Sequence, residues 1–225
     1  SSRGIVSRLN YLMDAILSGS NEIIDMNKSD DEIGKLSNAI QTPMTGQRHL
    51  EFSNKTLEVI AESKDLKAIL KQIILFYESE NLDSICSVLL LDEERKHLTH
   101  GVAPSLPSFY SSGIDGLAIG PNAGPCGAAA YKNELTIVEN ISTNPLCENF
   151  KELANRAGLK ACWSQPILSS KGEVLGTFAV YYKTAKSPGE EELKLLKTLA
   201  YKAGFAIESN YQEKALKKAK SHCQL

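Results

Sequence analysis

The sequence predicts a mixed α/β domain in which an antiparallel sheet packs against helices. Two strand-like runs, 161–168 and 173–182, are rich in alternating and β-branched residues and are joined by the polar link Ser169-Ser170-Lys171-Gly172. This arrangement is typical of a β-hairpin. A third run, Ile-Cys-Ser-Val-Leu-Leu-Leu at 85–91, is almost continuously apolar and predicts a strand buried on both faces.

Amphipathic helices are predicted on both sides of these strands. Apolar residues recur at helical spacing in residues 48–77 and again in residues 193–207. Ser187-Pro188-Gly189-Glu190 precedes the second stripe and predicts a capping box that starts the helix. The two stripes carry more apolar surface than one domain face can bury. We therefore expect a homodimer assembled through the terminal helices rather than through the sheet.

Composition and charge exclude several classes of protein. The 225 residues are 42% hydrophobic and 23% charged, as in ordinary globular domains. A net charge of −2 offers no basic face for nucleic acid. No apolar run approaches the ~18 residues of a membrane span. Because an amphipathic helix starts almost at Ser1, we expect a cytoplasmic fragment whose only membrane link is an absent upstream segment.

The cysteines and histidines do not predict a metal site or a disulfide framework. The five cysteines are Cys86, Cys126, Cys147, Cys162 and Cys223. They form no Cys-x-x-Cys pair, and the four histidines are dispersed, so no metal ligand is expected. An odd number of scattered thiols favours a reducing cytoplasm. The catalytic pattern G-x-S-x-G and the phosphate loop G-x-x-x-x-G-K-[ST] are absent, so no catalytic residue is expected.

Residues 1–50 form a separate helical segment. Leu9, Leu12 and Ile16 follow helical spacing, and a second helix opens with the acidic run Asp30 to Leu36, DDEIGKL. Helix, connector, DEIG and helix together resemble a HAMP domain, the four-helix relay of membrane receptors. Pro43 departs from the pattern, because proline kinks a helix that HAMP domains continue. The alternative is an amphipathic helical hairpin that leads into the next domain.

Two passages resemble a GAF domain, the small sensory module of signalling proteins. They are GPCGAAAYKNELTIVENISTNP at 124–145 and GLKACWSQPILSSKGEVLGTFAVYY at 158–182. The likeness is to the version in multidomain bacterial receptors, often found beside diguanylate cyclase and phosphodiesterase domains. It implies a central antiparallel sheet with helices on both faces. The implied organisation is a HAMP-like segment at 1–50, a GAF domain with its entry helix at 51–207 and an output helix at 208–225.

The resemblance implies a sensor and does not name its ligand, because GAF domains share a fold and differ in what they bind. We expect a small ligand to shift a dimeric helix bundle between two packings and so control an output domain. Any cyclic-di-GMP enzyme would lie beyond Leu225, so the chain itself is expected to be no enzyme. No cofactor is assigned.

The resemblance places the pocket between the sheet and the segment 113–150. The candidate ligand-binding residues are Trp163, Tyr110, Cys126, Tyr131, Phe150 and Phe178. Aromatic side chains with a few polar groups commonly line small-molecule sites, although each could equally fill a core. Trp163 and Cys162 are neighbours on one strand and must face opposite sides. The small Cys162 is expected under the helices, with Trp163 on the loop side.

Cys126 supports a second interpretation. It lies in Gly124-Pro125-Cys126-Gly127 at the predicted start of a short helix, where the helix dipole favours a thiolate. The segment resembles the thiol segment of free methionine sulfoxide reductases, with Cys147 or Cys162 as the resolving thiol. The alternative is a small thiol accommodated by packing. A third interpretation is a structural dimerisation module whose pocket is filled by its own side chains.

Overall fold

The computed structural model describes residues 65–222. In chain order these form α1 (Leu66–Glu80), β1 (Ser84–Leu91), β2 (His97–Val102), α2 (Ser108–Gly113), β3 (Leu117–Ala118), α3 (Gly124–Lys132), β4 (Thr136–Val138), a 3₁₀-helix (Pro145–Phe150), α4 (Lys151–Arg156), β5 (Ala161–Leu168), β6 (Val174–Tyr182) and α5 (Glu190–His222). The HAMP-like segment, the first part of the entry helix and Cys223 lie outside the described residues.

The six strands form one antiparallel sheet in the order β3-β2-β1-β6-β5-β4. The hairpin predicted from the sequence is confirmed, because β5 pairs with β6 from Ala161 opposite Tyr182 onwards. The second strand begins at Val174, one residue later than predicted. β1 pairs with β2 and β6 near the middle of the sheet. That position accounts for its apolar run, since central strands are covered on both faces.

Two different layers cover the sheet. On one side α1 and α5 pack against each other and against β1, β5 and β6, and we name this side the helix face. Leu70, Ile73, Ile74 and Tyr77 of α1 are fully buried there. On the other side α2, α3, the 3₁₀-helix and α4 pack on the sheet, and we name this side the loop face. The predicted arrangement of helices on both faces is confirmed.

Helix α5 begins at a different residue from the one that the sequence predicts. The N–H of Leu193 bonds to the carbonyl of Gly189 at 3.1 Å, so the helix starts after Gly189 and the capping box at Ser187 is wrong. The Glu192 carboxylate instead accepts from the Gly189 N–H at 2.9 Å. This contact caps the helix two residues further along the chain than the Ser187–Glu190 pattern indicates. Three glutamates, 190–192, then occupy the first turn, where the helix dipole favours negative charge.

The contact between α5 and the sheet depends on one glycine. A Cβ atom added to Gly204 would lie 2.1 Å from the carbonyl oxygen of Leu168 at the end of β5. No side chain fits in that space, so glycine sets how closely the helix approaches the strand.

Among the residues described, none of the helices has both the length and the apolar character that a membrane span requires.

Candidate functional site

A cavity lies on the loop face, between the sheet and the helices that cover it. Its wall includes Tyr110 of α2, Cys126 of α3, Cys147 and Phe150 of the 3₁₀-helix, Cys162 of β5 and Tyr181 of β6. The cavity volume open to water is about 30 Å³, and one water molecule needs about 10–15 Å³. The cavity therefore has room for a molecule of roughly two or three non-hydrogen atoms.

The structure brings three of the six predicted site residues to this cavity and places the other three elsewhere. Tyr110, Cys126 and Phe150 line the cavity. Tyr131 is 58% exposed on the outer side of α3. Phe178 lies on the helix face, where its ring centroid is 6.1 Å from that of Tyr77. The sixth residue is Trp163.

Trp163 lies on the helix face, so the face assignment made from the sequence is reversed. Its side chain is fully buried, its indole N–H donates to the carbonyl of Lys186 at 3.1 Å, and its ring centroid is 4.7 Å from that of Tyr182. The alternation of Cys162 and Trp163 was predicted correctly. The error concerns side-chain size. The close approach of α5 to the sheet that favoured a small residue occurs at Gly204, which faces Leu168 at the other end of β5. Nearer the start of α5, large aromatic rings fill the space beneath the segment that joins β6 to the helix.

The list of candidate ligand-binding residues left out Tyr181, and it treated Cys162 and Cys147 only as resolving thiols rather than as parts of the pocket wall. Cys162 pairs directly with Tyr181 in the sheet, and paired residues on neighbouring strands share a face. The alternation of side chains along β5 and β6 could therefore have predicted that Tyr181 lies beside Cys162 in the cavity wall. This prediction requires that one residue of either strand is first assigned to the correct face of the sheet. Cys147 lies in the 3₁₀-helix, where no strand alternation applies.

The thiols around the cavity differ in acidity. The interaction with Cys162, with help from the nearby hydroxyls of Ser164, Tyr181 and Thr177, lowers the pKa of Cys126 to about 7 against the opposing effect of burial. Burial raises the pKa of Cys162 well above its ordinary value, and contact with Cys126 raises it further. Cys126 is therefore the thiol that ionises near neutral pH, and Cys162 stays protonated.

Burial also raises the pKa of Cys147, to about 11. The same effect raises the pKa of both phenols in the wall, Tyr110 and Tyr181, well above its ordinary value. Both phenols are thus neutral at physiological pH and can donate hydrogen bonds.

Buried hydroxyl groups belong to the same face as the cavity. Ser87, Ser164 and Thr177 are fully buried and share the sheet face of Tyr181 by strand alternation. Ser87 bonds to the Tyr181 hydroxyl at 3.2 Å. Among the residues described, the side-chain oxygens of Ser164 and Thr177 have no hydrogen-bond partner. A buried polar atom without a partner is costly and commonly indicates a missing water or ligand.

A polar cluster on the helix face lies directly behind the cavity wall. The Lys186 ammonium bonds to the Glu192 carboxylate at 2.7 Å, and the Tyr182 hydroxyl donates to the same carboxylate at 3.0 Å. The Lys186 nitrogen also lies 4.1 Å from the centre of the Tyr182 ring. These contacts join β6 to the first turn of α5. Within residues 65–222 no group of histidine, cysteine and carboxylate side chains could hold a metal ion.

Fold and cavity define a sensor domain of the kind that signalling proteins carry. The model of the GAF domain family matches residues 63–208, so the chain belongs to the GAF family. The six-stranded antiparallel sheet with helices on both faces is the GAF fold that the sequence predicted.

A relative has a similar sequence, and two solved structures have the same fold. The chain is 42% identical over 168 residues to the methyl sulfide methyltransferase-associated sensor of Methanosarcina acetivorans. The match covers 75% of this chain, but the chain spans only 17% of that relative's length.

Among solved structures, the GAF domain of a phosphoenolpyruvate-protein phosphotransferase from Coxiella burnetii is 20% identical with a TM-score of 0.59, covering 74% of this chain and 96% of that one. Free methionine-R-sulfoxide reductase of Neisseria meningitidis is 18% identical with a TM-score of 0.55, covering 71% of this chain and 88% of that one. At such identities the two structures show a shared fold alone.

Proposed function

We propose that this chain is the sensory module of a cytoplasmic signal-transduction protein and that it binds a small ligand in the cavity of the loop face. The observation that carries the proposal is the combination of the loop-face cavity with the unpartnered hydroxyls of Ser164 and Thr177 on the same face of the sheet. A buried hydroxyl without a partner is costly, and these two lie near Cys126 in the cavity wall.

The cavity favours a compact, uncharged ligand. Its wall combines aromatic rings, thiols and the neutral hydroxyls of Tyr110 and Tyr181, and it contains no lysine or arginine that could compensate a phosphate. The relative's name links a sensor to methyl sulfide methyltransferase. Methyl sulfide, a neutral molecule whose polarisable sulfur suits aromatic surroundings, is of the size that the cavity admits. It is therefore among the first compounds to test.

The signal would pass across the sheet to helix α5. Cys162 and Tyr181 face the cavity, and the residues that follow them, Trp163 and Tyr182, hold the segment at the start of α5. A ligand that moves the first pair displaces the second pair on the other face. Such a ligand biases the equilibrium only as far as it binds one arrangement better than the other.

The relay would then act through a parallel homodimer of the terminal helices. Tyr201, Phe205 and Leu216 of α5 are 75%, 51% and 57% exposed, and their spacing of four and eleven residues places them along one stripe of the helix. We propose that a second copy of the chain covers this stripe. The output, for example a cyclic-di-GMP enzyme, would belong to a separate domain joined to residues 208–225 and to a HAMP-like relay at 1–50.

Native mass spectrometry of protein purified without refolding tests ligand binding directly. A retained ligand adds a discrete mass to each protomer. Added compounds are then compared by thermal denaturation, because a ligand at 100 times its Kd stabilises the folded state by about 2.7 kcal/mol. Ala154→Met, which fills the cavity from α4, should abolish the shift. Tyr131→Phe, outside the cavity, should retain it. A protein that binds no member of a neutral small-molecule panel and retains no added mass would favour the structural dimerisation module.

A thiol oxidoreductase is the second candidate, and the acidic thiol of Cys126 beside Cys162 is the observation that favours it. Free methionine sulfoxide supplied with a thiol reductant tests it. We expect no methionine above background, because the wall of the cavity carries no carboxylate to hold the amino group of the substrate. Turnover that Cys126→Ser abolishes would establish the enzyme in place of the sensor.

A further inference from the structure

Three of the four cysteines among the described residues share one cavity. Cys126, Cys147 and Cys162 are part of its wall, and all are free thiols. Cys86 is also buried, but it pairs with Val180 of β6 and so belongs to the helix face. Three of the four described thiols therefore lie on the loop face. Cys86 is a buried thiol on the helix face, so it serves as the control for reactions at the cavity.

Cys126 and Cys162 come from opposite walls and meet in the cavity. Cys126 lies in the first turn of α3, and this helix packs on β5, which carries Cys162. The Cys126 sulfur is 4.0 Å from the hydroxyl of Tyr181, which neighbours Cys162 across the hairpin. Contact with the Cys162 thiol is also the largest influence on the acidity of Cys126.

The two thiols are suited to different steps of an oxidation. Cys126 is the nucleophile, because a helix N-terminus and the neighbouring thiol and hydroxyl groups favour its thiolate. Cys162 is 2% exposed and remains a neutral thiol next to Cys126. Cys162 rather than Cys147 is the partner, because the Cys162 side chain makes the contact that most affects the acidity of Cys126, whereas Cys126 acts on Cys147 through charge alone.

We propose that Cys126 and Cys162 form a dithiol switch that is oxidised by hydrogen peroxide entering the cavity. The Cys126 thiolate attacks one peroxide oxygen, the O–O bond breaks, and hydroxide leaves as Cys126 becomes a sulfenic acid. The Cys162 sulfur then attacks the sulfenic sulfur. The S–O bond breaks, the thiol proton joins the departing hydroxyl, and water leaves as the disulfide forms. In total one peroxide is reduced to two waters, and two thiols are oxidised to one disulfide.

The size and the polar groups of the cavity fit this oxidant. Hydrogen peroxide has two oxygen atoms, and the cavity admits roughly two or three water-sized units. The unpartnered hydroxyls of Ser164 and Thr177 lie close enough to the Cys126 sulfur to lower its pKa. The Tyr110 and Tyr181 hydroxyls are in the cavity wall itself and can bond a peroxide held against that sulfur. This inference does not depend on an organic ligand, so it is separable from the proposed function.

The disulfide would have a structural consequence on the other side of the sheet. It joins the first turn of α3 to the strand position immediately before Trp163. Trp163 in turn bonds to the segment that enters α5. Oxidation thus stiffens or shifts the strand that supports the start of the output helix, and the sole tryptophan of the chain reports it by fluorescence.

The test treats the fully reduced 225-residue protein with hydrogen peroxide at pH 7 and maps disulfides by mass spectrometry of a non-reducing digest. We expect a Cys126–Cys162 linked peptide and the loss of two thiols per chain. Cys162→Ser should stop at a sulfenic acid on Cys126, which dimedone traps. Cys86→Ser should form the same disulfide as the unmodified chain. At pH 7 the chain should consume peroxide at least about tenfold faster than Cys126→Ser, because a thiol with a pKa near 7 is about half ionised there.

Each alternative outcome overturns the proposal. A linked peptide between Cys126 and Cys147 would assign the switch to a different pair. Equal oxidation of all buried thiols in protein whose far-ultraviolet circular dichroism stays unchanged would show that no pair is selected and would also overturn the switch. Reduced, folded protein whose thiols survive an excess of peroxide would exclude the switch without affecting the ligand-binding experiment, which is read by added mass and thermal shift.

Discussion

Tyr181 and Tyr182 are consecutive residues of β6 whose hydroxyl groups make contacts on opposite faces of the sheet. The Tyr181 hydroxyl lies 3.2 Å from the Ser87 hydroxyl and 4.0 Å from the Cys126 sulfur in the cavity wall. The Tyr182 hydroxyl donates to Glu192 in the first turn of α5. Two consecutive side chains of β6 therefore contact the cavity wall and the first turn of α5. Cys162 and Trp163 repeat the arrangement on β5.

Glu192 is expected to contribute measurably to stability, because it joins Lys186, Tyr182 and Gly189 to α5. Glu192→Ala should lower the free energy of unfolding by about 1.5–3 kcal/mol, as for hydrogen bonds to a charged group. Urea denaturation at pH 7 measures the loss. Glu191→Ala is the matched control, because Glu191 is exposed on the same turn and should change stability by less than about 0.5 kcal/mol. Equal effects of the two variants would contradict a specific role for Glu192.

The same carboxylate gives stability a defined pH dependence. Burial raises the pKa of Glu192, but its bonds to Lys186, Gly189 and Tyr182 outweigh burial and leave the pKa below the ordinary 4.5. A carboxyl whose pKa falls on folding stabilises the protein above its unfolded pKa and loses that effect as pH falls through the folded pKa. The difference in stability between the unmodified chain and Glu192→Ala should therefore be full at pH 7 and shrink below about pH 4.5. A difference that stayed constant down to pH 3 would contradict the ion pair.

Among the four cysteines that the structure describes, Cys126 should be the first to react with iodoacetamide. The alkylation rate follows the thiolate fraction, so it should rise with pH and reach half its maximum near pH 7, where the pKa of Cys126 lies. Cys147, whose pKa is raised to about 11, should react only at much higher pH. Peptide mapping after brief labelling separates the two sites. Folding stability should also increase with pH between about 7 and 9, because the folded pKa of Cys126 is below the unfolded value of 9.0. Preferential labelling of Cys147 at neutral pH would contradict this assignment.

Thr177 provides a test of whether the unpartnered hydroxyls serve a ligand. Thr177→Val removes an oxygen that bonds to no described residue, so the empty protein should keep its stability or gain up to about 1 kcal/mol. Ser87→Ala is the contrasting variant. It removes the partner of Tyr181 and should cost about 1 kcal/mol. Chemical denaturation compares the two. A large loss of stability in Thr177→Val would show that its hydroxyl is already satisfied in the empty protein.

The sequence predicted the framework of the domain well, because the hairpin and β1 combine strong local patterns with clear boundaries. The polar link 169–172 and the apolar run 85–91 each predict their element without help from the rest of the chain. The exit helix was predicted for the same reason, although its first residue was not. The Ser-Pro-Gly-Glu pattern predicts a start at Ser187. In the structure the N–H of Gly189, two residues later, bonds to the Glu192 carboxylate and caps the helix there.

The site was predicted only in part, because its composition depends on which face each strand residue occupies. Local alternation separates Cys162 from Trp163 but does not say which of them faces the helices. That choice depends on the distance between α5 and the sheet, which Gly204 sets some forty residues later in the chain. Tyr110, Cys126 and Phe150 line the cavity because they belong to the covering segment itself rather than to the sheet.

Gly204 should not tolerate even one extra carbon atom. The added Cβ of Gly204→Ala would lie 2.1 Å from the Leu168 carbonyl oxygen, so α5 must move away from β5. Overpacking of this kind costs about 1–3 kcal/mol, despite the better helix propensity of alanine. Urea denaturation measures the loss. Gly120→Ala is the control, because its added Cβ would meet only the Cβ of Ala123, at an ordinary contact distance of 3.8 Å. If Gly204→Ala proved more stable than the unmodified chain, α5 would not be in close contact with Leu168.

The proposed dimer leads to a final prediction at Phe205, which is 51% exposed in the middle of the apolar stripe of α5. Phe205→Glu places a charge where a second helix should pack, and the two copies of a symmetric interface place like charges near each other. We expect dimerisation to weaken by at least about tenfold in Kd, which corresponds to 1.4 kcal/mol. Analytical ultracentrifugation at tens of micromolar measures the change, and the variant should keep its fold because the side chain already contacts solvent. Tyr131→Glu is the matched control, since Tyr131 is 58% exposed on the loop side and should leave the dimer intact. An unmodified chain that sediments as a monomer at this concentration would refute assembly through the terminal helices.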